Sequence, residues 1–396
     1  MKSTIVLIVR IRTCKLVTCF GLDPRAFFLL FLFLPWAAAW SAAAERKTEN
    51  VILITYDGLR FQELFGGAQR RLINADDGGV KDVSATLRRF DRDTPRERRE
   101  ALLPFFWQAI ARRGQVFGDP DAGSPVRVTN GRYFSYPGYN EILSGAADAR
   151  IDSNDKRPNR NVTVLEWLHR RGEFAGRVGA FCSWDVFPFI INARRSGVYV
   201  NAGWQPLAHA SSPEMLRMLN RAAGELPRYW HNVRYDLFTF EGAIGYLRAE
   251  KPRVLYVAFG ETDDWAHAGR YDLYLDSAGR TDDYVRRLWE AAQQIPQYAG
   301  KTSLLVTTDH GRGDTRDGWK SHGADLPGSE FIWIAVMGPD TAALGVREHV
   351  ETTQSQAAAT VAALLGLDFA SHHPQIAAPL PGVTGESELT TTLPKL

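Results

Sequence analysis

The run Leu304-Leu305-Val306-Thr307-Thr308 is apolar and β-forming, and it ends on adjacent Asp309 and His310. Both are good ligands for a borderline ion such as zinc. Gly311 lets the chain turn there, and His322, in Lys320-Ser321-His322-Gly323, can return to the same place. Two more runs end in the same way. Val51-Ile52-Leu53-Ile54-Thr55-Tyr56 closes on Asp57-Gly58, and Val254-Leu255-Tyr256-Val257-Ala258-Phe259 leads to Asp263 and His267. A spacing of four brings Asp263 and His267 together if that segment winds into a helical turn. Three carboxylates and three imidazoles then make two sets of three ligands, the number a catalytic zinc uses while keeping one position open.

A nucleophile completes the set. In Arg132-Tyr133-Phe134-Ser135-Tyr136-Pro137-Gly138-Tyr139-Asn140, Ser135 reads as the N-cap of a short helix with Pro137 in its first turn. A hydroxyl there sees the positive end of the helix, and nearby backbone N–H groups can receive an anion. Serine is a weak nucleophile until a base or metal lowers its pKa. Three aspartates against two divalent ions leave one positive charge, which an ionised Ser135 cancels.

Open α/β sheets place their chemistry just past the carboxyl ends of strands. The positioning elements are therefore strands ending at Tyr56, Phe259 and Thr308. Between them the pattern alternates with helices. A helix is expected from Pro95 to about Arg113, kinked or split at Pro104. Thr163 with Glu166 fits a capping box. Helices follow at 213–226, 237–249, from Asp282 to about Gln294, and over 355–365. Short strands fall at 115–118 and 176–181, with a longer one over 331–337. This is a layered α/β/α arrangement on a largely parallel sheet.

The chain has 396 residues, 45% hydrophobic and 23% charged, with a net charge of +2. Its basic residues are interrupted by acidic ones, which argues against a nucleic-acid polymer as partner. Basic residues up to Arg25, the apolar run Ala26–Leu34 and the small residues ending at Ala44 read as a secretory signal over 1–44. The expectation is an exported protein, periplasmic or secreted, with one domain over 45–396 and no membrane anchor after cleavage. Cys14 and Cys19 leave with that segment. Cys182 then stands alone in an apolar neighbourhood as a small buried residue.

With these residues in order, the chain resembles the alkaline phosphatase superfamily, closest to its nucleotide pyrophosphatase/phosphodiesterase-like and cofactor-independent phosphoglycerate mutase-like branches. The resemblance runs from Val51 to about Leu367. It implies a three-layer α/β/α sandwich, and two divalent ions, zinc with Mn2+ as the alternative. One ion would be held by Asp57, Ser135, Asp309 and His310, the other by Asp263, His267 and His322. It further implies hydrolysis of small phosphate esters, by a phosphodiesterase or phosphatase acting through a phosphoseryl intermediate on Ser135. Tyr136 and Asn140 are the expected substrate contacts. Two alternatives are a phosphotransferase or mutase of the same superfamily and a non-catalytic metal-binding envelope protein. Two departures bear on substrate. Phosphodiesterases of the family carry Thr-Phe-Pro-Asn where this chain has Ser135-Tyr136-Pro137-Gly138, so the Asn that holds a phosphoryl oxygen is missing from its place. Sulfatases carry Arg at the position of Tyr139.

Overall fold

The structure is a computed structural model that describes residues 46–384, so the expected signal segment lies outside the described residues. Its strands are β1 (Asn50–Tyr56), β2 (Gly114–Phe117), β3 (Val126–Arg127), β4 (Val178–Cys182), β5 (Tyr199–Ala202), β6 (Val254–Phe259), β7 (Thr302–Thr308), β8 (Phe331–Ile332), β9 (Ile334–Met337), β10 (Gly345–Val346) and β11 (Thr352–Thr353). Eight of them form one sheet in the order β10-β2-β9-β7-β1-β6-β4-β5, and β11-β3-β8 form a small second sheet. The five strands from β7 to β5 run parallel, and β9 is antiparallel to both of its neighbours.

The central strands are buried along their whole length, and their side chains alternate between two cores. Ile52, Ile54 and Tyr56 of β1, with Leu255, Val257 and Phe259 of β6, pack on one face against the Asp236–Glu250 and Tyr271–Gln293 helices. Val51, Leu53, Val254 and Tyr256 face the other side, under the Ser135–Ser144, Val164–His169 and Gln356–Leu364 helices. A parallel sheet covered on both faces explains why these strands are continuously apolar. The expected three-layer α/β/α sandwich is the one observed.

Several expectations shift at their edges. The helix beginning at Pro95 does break near Pro104: it runs Pro95–Leu102, and helical turns resume over 106–113. Thr163 caps its helix through the Glu166 N–H at 3.1 Å. The Glu166 carboxylate, however, goes to Arg195 and Arg170 rather than back to the cap, so the box is only half made. The helix expected from Asp282 starts eleven residues earlier, at Tyr271. Its first turns bury Tyr271, Tyr274, Leu275 and Ala278, and Gly279 in the middle weakens the helical signal. The 331–337 strand splits at Trp333. That indole leaves the line to donate to the Leu59 carbonyl at 2.9 Å and pack against Tyr56 and Phe106. Cys182 is buried and free, and burial pushes its thiol well above the usual range, so it is inert packing.

Candidate active site

Strand register brings the site together. Tyr56 pairs with Phe259 on one side and Thr308 on the other, so Asp57, Gly260 and Asp309 leave the sheet side by side. After Gly260 the chain winds into the Glu261–His267 helix, which carries Asp263 and His267 on one face. His322 comes back on the loop after the Gly318–Lys320 turn. All six predicted ligands gather at this edge.

His310 is fully buried at the centre. Its Nδ1 lies 2.9 Å from the Gly311 carbonyl, which can only accept, so Nδ1 carries the proton and Nε2 presents a lone pair. That Nε2 is 3.4 Å from Asp57 Oδ1 and 3.4 Å from Asp309 Oδ2. Both of these carboxylate oxygens are buried with no hydrogen-bond partner among the described residues. Each carboxylate is held through its other oxygen: the Tyr139 hydroxyl donates to Asp57 Oδ2 at 2.9 Å, and the Gly58 N–H to Asp309 Oδ1 at 3.0 Å. Burial pushes both carboxyls well above the usual carboxylate range; repulsion from Asp263 adds to it at Asp57, and repulsion from Asp57 and Asp263 adds to it at Asp309. Two bare buried carboxylate oxygens and one imidazole lone pair, all converging, fit a divalent cation. Asp57, Asp309 and His310 would hold it, with Ser135 beside them.

Ser135 lies one position further into its helix than expected. Phe134 is the cap residue, and the helix runs Ser135–Ser144 with no side-chain cap bond. The hydroxyl is thus not used for capping, and Oγ lies 3.5 Å from His310 Nε2. The loop leading to it is pinned by Glu141, buried, whose carboxylate accepts from the Thr129 and Asn130 backbone N–H groups and from the Ser355 hydroxyl. Asn130 Oδ1 in turn accepts from the N–H of Tyr133, whose carbonyl accepts from His322 Nδ1 at 2.9 Å. His322 is thereby fixed with its Nε2 lone pair inward. Burial, with His310 stacked at 3.8 Å, holds its pKa well below the ordinary histidine value.

Asp263 and His267 form the outer part of the site. His267 Nε2 lies 3.3 Å from Asp263 Oδ2 and 3.0 Å from His322 Nε2. Burial alone would raise the Asp263 carboxyl. The Arg312 guanidinium, with His267 and His322, outweighs that and holds it well below the usual range. Arg312 is fully buried and pairs with Asp263 Oδ1. It is a site residue that the sequence reading passed over. The available signals were its place one residue after Asp309-His310-Gly311 and the glycine opposite. Gly58 has φ +58°, and a Cβ there would lie 2.8 Å from Arg312 Nη1.

The structure does not bring Tyr136 and Asn140 to the nucleophile as substrate contacts. The Tyr136 hydroxyl donates to the Arg157 carbonyl, and the ring is buried. Asn140 is fully buried, with Nδ2 donating to Ala146 O and Oδ1 accepting from Asn159 and Asn161. The helix points that face into packing because residue 138 abuts the Asp309 backbone. A Cβ at Gly138 would lie 2.3 Å from the Asp309 carbonyl oxygen, which leaves no room for an asparagine there. The Tyr136 N–H is also not free to bind an anion. It donates to Oδ1 of Asn154, an exposed residue on the facing loop, at 2.9 Å.

No protein-family model matches the chain, and no curated protein matches its sequence. Solved structures do match in fold. Ps i-CgsB, in complex with k-i-k-neocarrahexaose, aligns at 16% identity and TM-score 0.50, over 84% of this chain and 75% of that one. A candidate sulfatase from Bacteroides thetaiotaomicron aligns at 12% identity and TM-score 0.53, over 87% and 76%. The phosphonate monoester hydrolase SpPMH from Silicibacter pomeroyi aligns at 12% identity and TM-score 0.50, over 87% and 78%. At such identities the likeness is one of fold. That shared fold is the three-layer α/β/α sandwich, with the candidate ligands at the carboxyl edge of its parallel strands.

Proposed function

We propose that this chain is a metal-dependent hydrolase of phosphate esters in which Ser135 is the nucleophile. One observation carries the reading. An uncapped, buried serine hydroxyl lies 3.5 Å from a histidine nitrogen that shares its position with two partnerless carboxylate oxygens. A bound divalent ion, zinc or manganese, would supply positive charge that lowers the hydroxyl pKa and steadies the phosphoryl oxygens. Ser135 gives its proton to solvent and its oxygen bonds to phosphorus as the bond to the ester oxygen breaks, the leaving alkoxide taking a proton from water. Water then releases the phosphoseryl group. Asn154, held at the helix start by the Tyr136 N–H, takes the phosphoryl-oxygen role that residue 138 cannot serve.

No Lys or Arg occurs between Ser135 and Ser144, which favours an ester of single charge, a diester, over a monoester dianion. Tyr136 and Tyr139 offer the ester no aromatic surface, since both rings are buried. Sulfate esters are the competing class, because a protein of similar fold is named as a sulfatase. Against them stands Tyr139, whose hydroxyl is committed to Asp57 where sulfatases carry Arg. Export belongs to the same proposal: it rests on the basic region, apolar run and small-residue exit of residues 1–44, and N-terminal sequencing of the mature protein checks it. The substrate test compares kcat/KM on bis-p-nitrophenyl phosphate, p-nitrophenyl phosphate and p-nitrophenyl sulfate. Phosphate-ester turnover that vanishes in Ser135→Ala is the expected result. Dominant sulfate hydrolysis would overturn the substrate class.

A further inference from the structure

The two histidines that present Nε2 lone pairs to the site share one arrangement, and His267 breaks it. His310 and His322 each place Nδ1 against a backbone carbonyl, at 2.9 Å in both cases. That fixes the proton on Nδ1 and leaves Nε2 able to ligate an ion, the usual outer support of a metal-bound histidine. His267 Nδ1 instead faces Arg312 Nη2 at 3.4 Å. A guanidinium can only donate, so His267 Nδ1 must accept. The neutral ring then carries its proton on Nε2, the atom that points at Asp263 Oδ2 and His322 Nε2. A protonated nitrogen is not a ligand.

Arg312 is not a passing surface contact. Its Nε donates to the Trp319 carbonyl at 2.8 Å and its Nη2 to the Lys320 carbonyl at 2.6 Å. Its Nη1 pairs with Asp263 Oδ1. The left-handed Gly58 leaves space for it, since a Cβ there would also come within 2.9 Å of Asp263 Oδ1. The guanidinium therefore already delivers the positive charge that the Asp263 carboxylate requires. Among the described residues, no Lys or Arg pairs with Asp57 Oδ1 or Asp309 Oδ2, which are buried and bare.

We infer that this chain holds one catalytic ion rather than two: the ion sits with Asp57, Asp309 and His310, while Arg312 occupies the electrostatic role of the second and turns His267 into a hydrogen-bond donor. This departs from the two-ion expectation drawn from the sequence. It deepens the proposed function but is tested without turnover. The wild-type protein is dialysed against buffered Zn2+ and its metal content measured. One ion per chain is expected, unchanged within twofold in affinity in His267→Ala and lost in Asp309→Ala. In the Co2+-loaded protein, the absorption and X-ray absorption signatures should report one imidazole rather than several. Nitrogen NMR of His267 should show Nε2 protonated. Arg312→Met should recruit a second ion if it folds; if it does not, the wild-type stoichiometry and His267→Ala still decide. Two ions in the wild type, with one lost in His267→Ala, would overturn the inference and leave Ser135 as nucleophile untouched.

Discussion

Tyr139 offers a clean test of how the site holds its carboxylates. Its hydroxyl, fully buried, donates to Asp57 Oδ2 at 2.9 Å and leaves Oδ1 bare for an ion. Tyr139→Phe removes one oxygen. It preserves the ring, which packs edge-on against Phe187 at 4.6 Å, so the fold should be little disturbed. The lost bond is charge-assisted, a class that contributes roughly 1.5–3 kcal/mol. Part of this returns as a carboxylate freer to rotate, so the whole amount does not reach the ion. Removing an outer partner of a metal ligand typically weakens binding about 10–100-fold. We therefore expect the Zn2+ Kd of Tyr139→Phe to rise by that factor. At a fixed Zn2+ concentration that saturates both proteins, mass action then removes about 1.4–2.7 kcal/mol of the ion's stabilisation. Competition with a chromophoric chelator measures Kd, and calorimetry with and without Zn2+ measures the linked stability. A Kd within twofold of the wild type would refute the claim that the Tyr139 hydroxyl orients Asp57 for a cation.

Other expectations follow from neighbouring groups. Ser135→Ala should lose turnover by at least about 10³-fold, as removal of a nucleophile does, yet keep its bound ion in elemental analysis; near wild-type rates would sink the mechanism. Gly138→Asn places side-chain atoms against the Asp309 carbonyl, 2.3 Å from a Cβ, and should cost about 1–3 kcal/mol in denaturant unfolding; no loss would mean the helix is not pressed on that backbone. Asp282, fully buried beneath the Phe105 and Phe106 N–H groups, has its carboxyl raised by burial from 3.8 to about 7. A raised carboxyl binds its proton more tightly in the folded state, so its contribution is full below pH 3.8 and lost as pH rises to about 7, by at most about 4 kcal/mol. Asp282→Asn should flatten that part of the stability–pH curve relative to wild type, and an unchanged slope would contradict the assignment.

The residues whose placement the sequence anticipates are those that depend on strand ends. Asp57, Asp263 and Asp309 follow apolar runs that could only be buried strands, and parallel register does the rest. Residues whose role depends on packing between distant segments were not legible in that way. Arg312 acts through Gly58 and the backbone of Trp319 and Lys320, and none of these partners has a spacing that marks it. Tyr136 and Asn140 carry the right chemistry at the right distance along the chain. Yet the helix is rotated by the close approach of Gly138 to Asp309, and both side chains turn into packing. Ser135 and Tyr139 are four apart and share the face toward the ligands, a pattern visible in the sequence once the helix start is placed correctly.

The central claim is that Ser135 takes the phosphoryl group before water does. Two in-line displacements at phosphorus restore the original configuration, whereas one inverts it. Hydrolysis in 17O-water of a phosphate diester made chiral at phosphorus with 16O and 18O, followed by phosphorus NMR of the monoester product, reads this directly. The account predicts net retention in the wild-type enzyme, and net inversion would show that water attacks phosphorus with no serine intermediate.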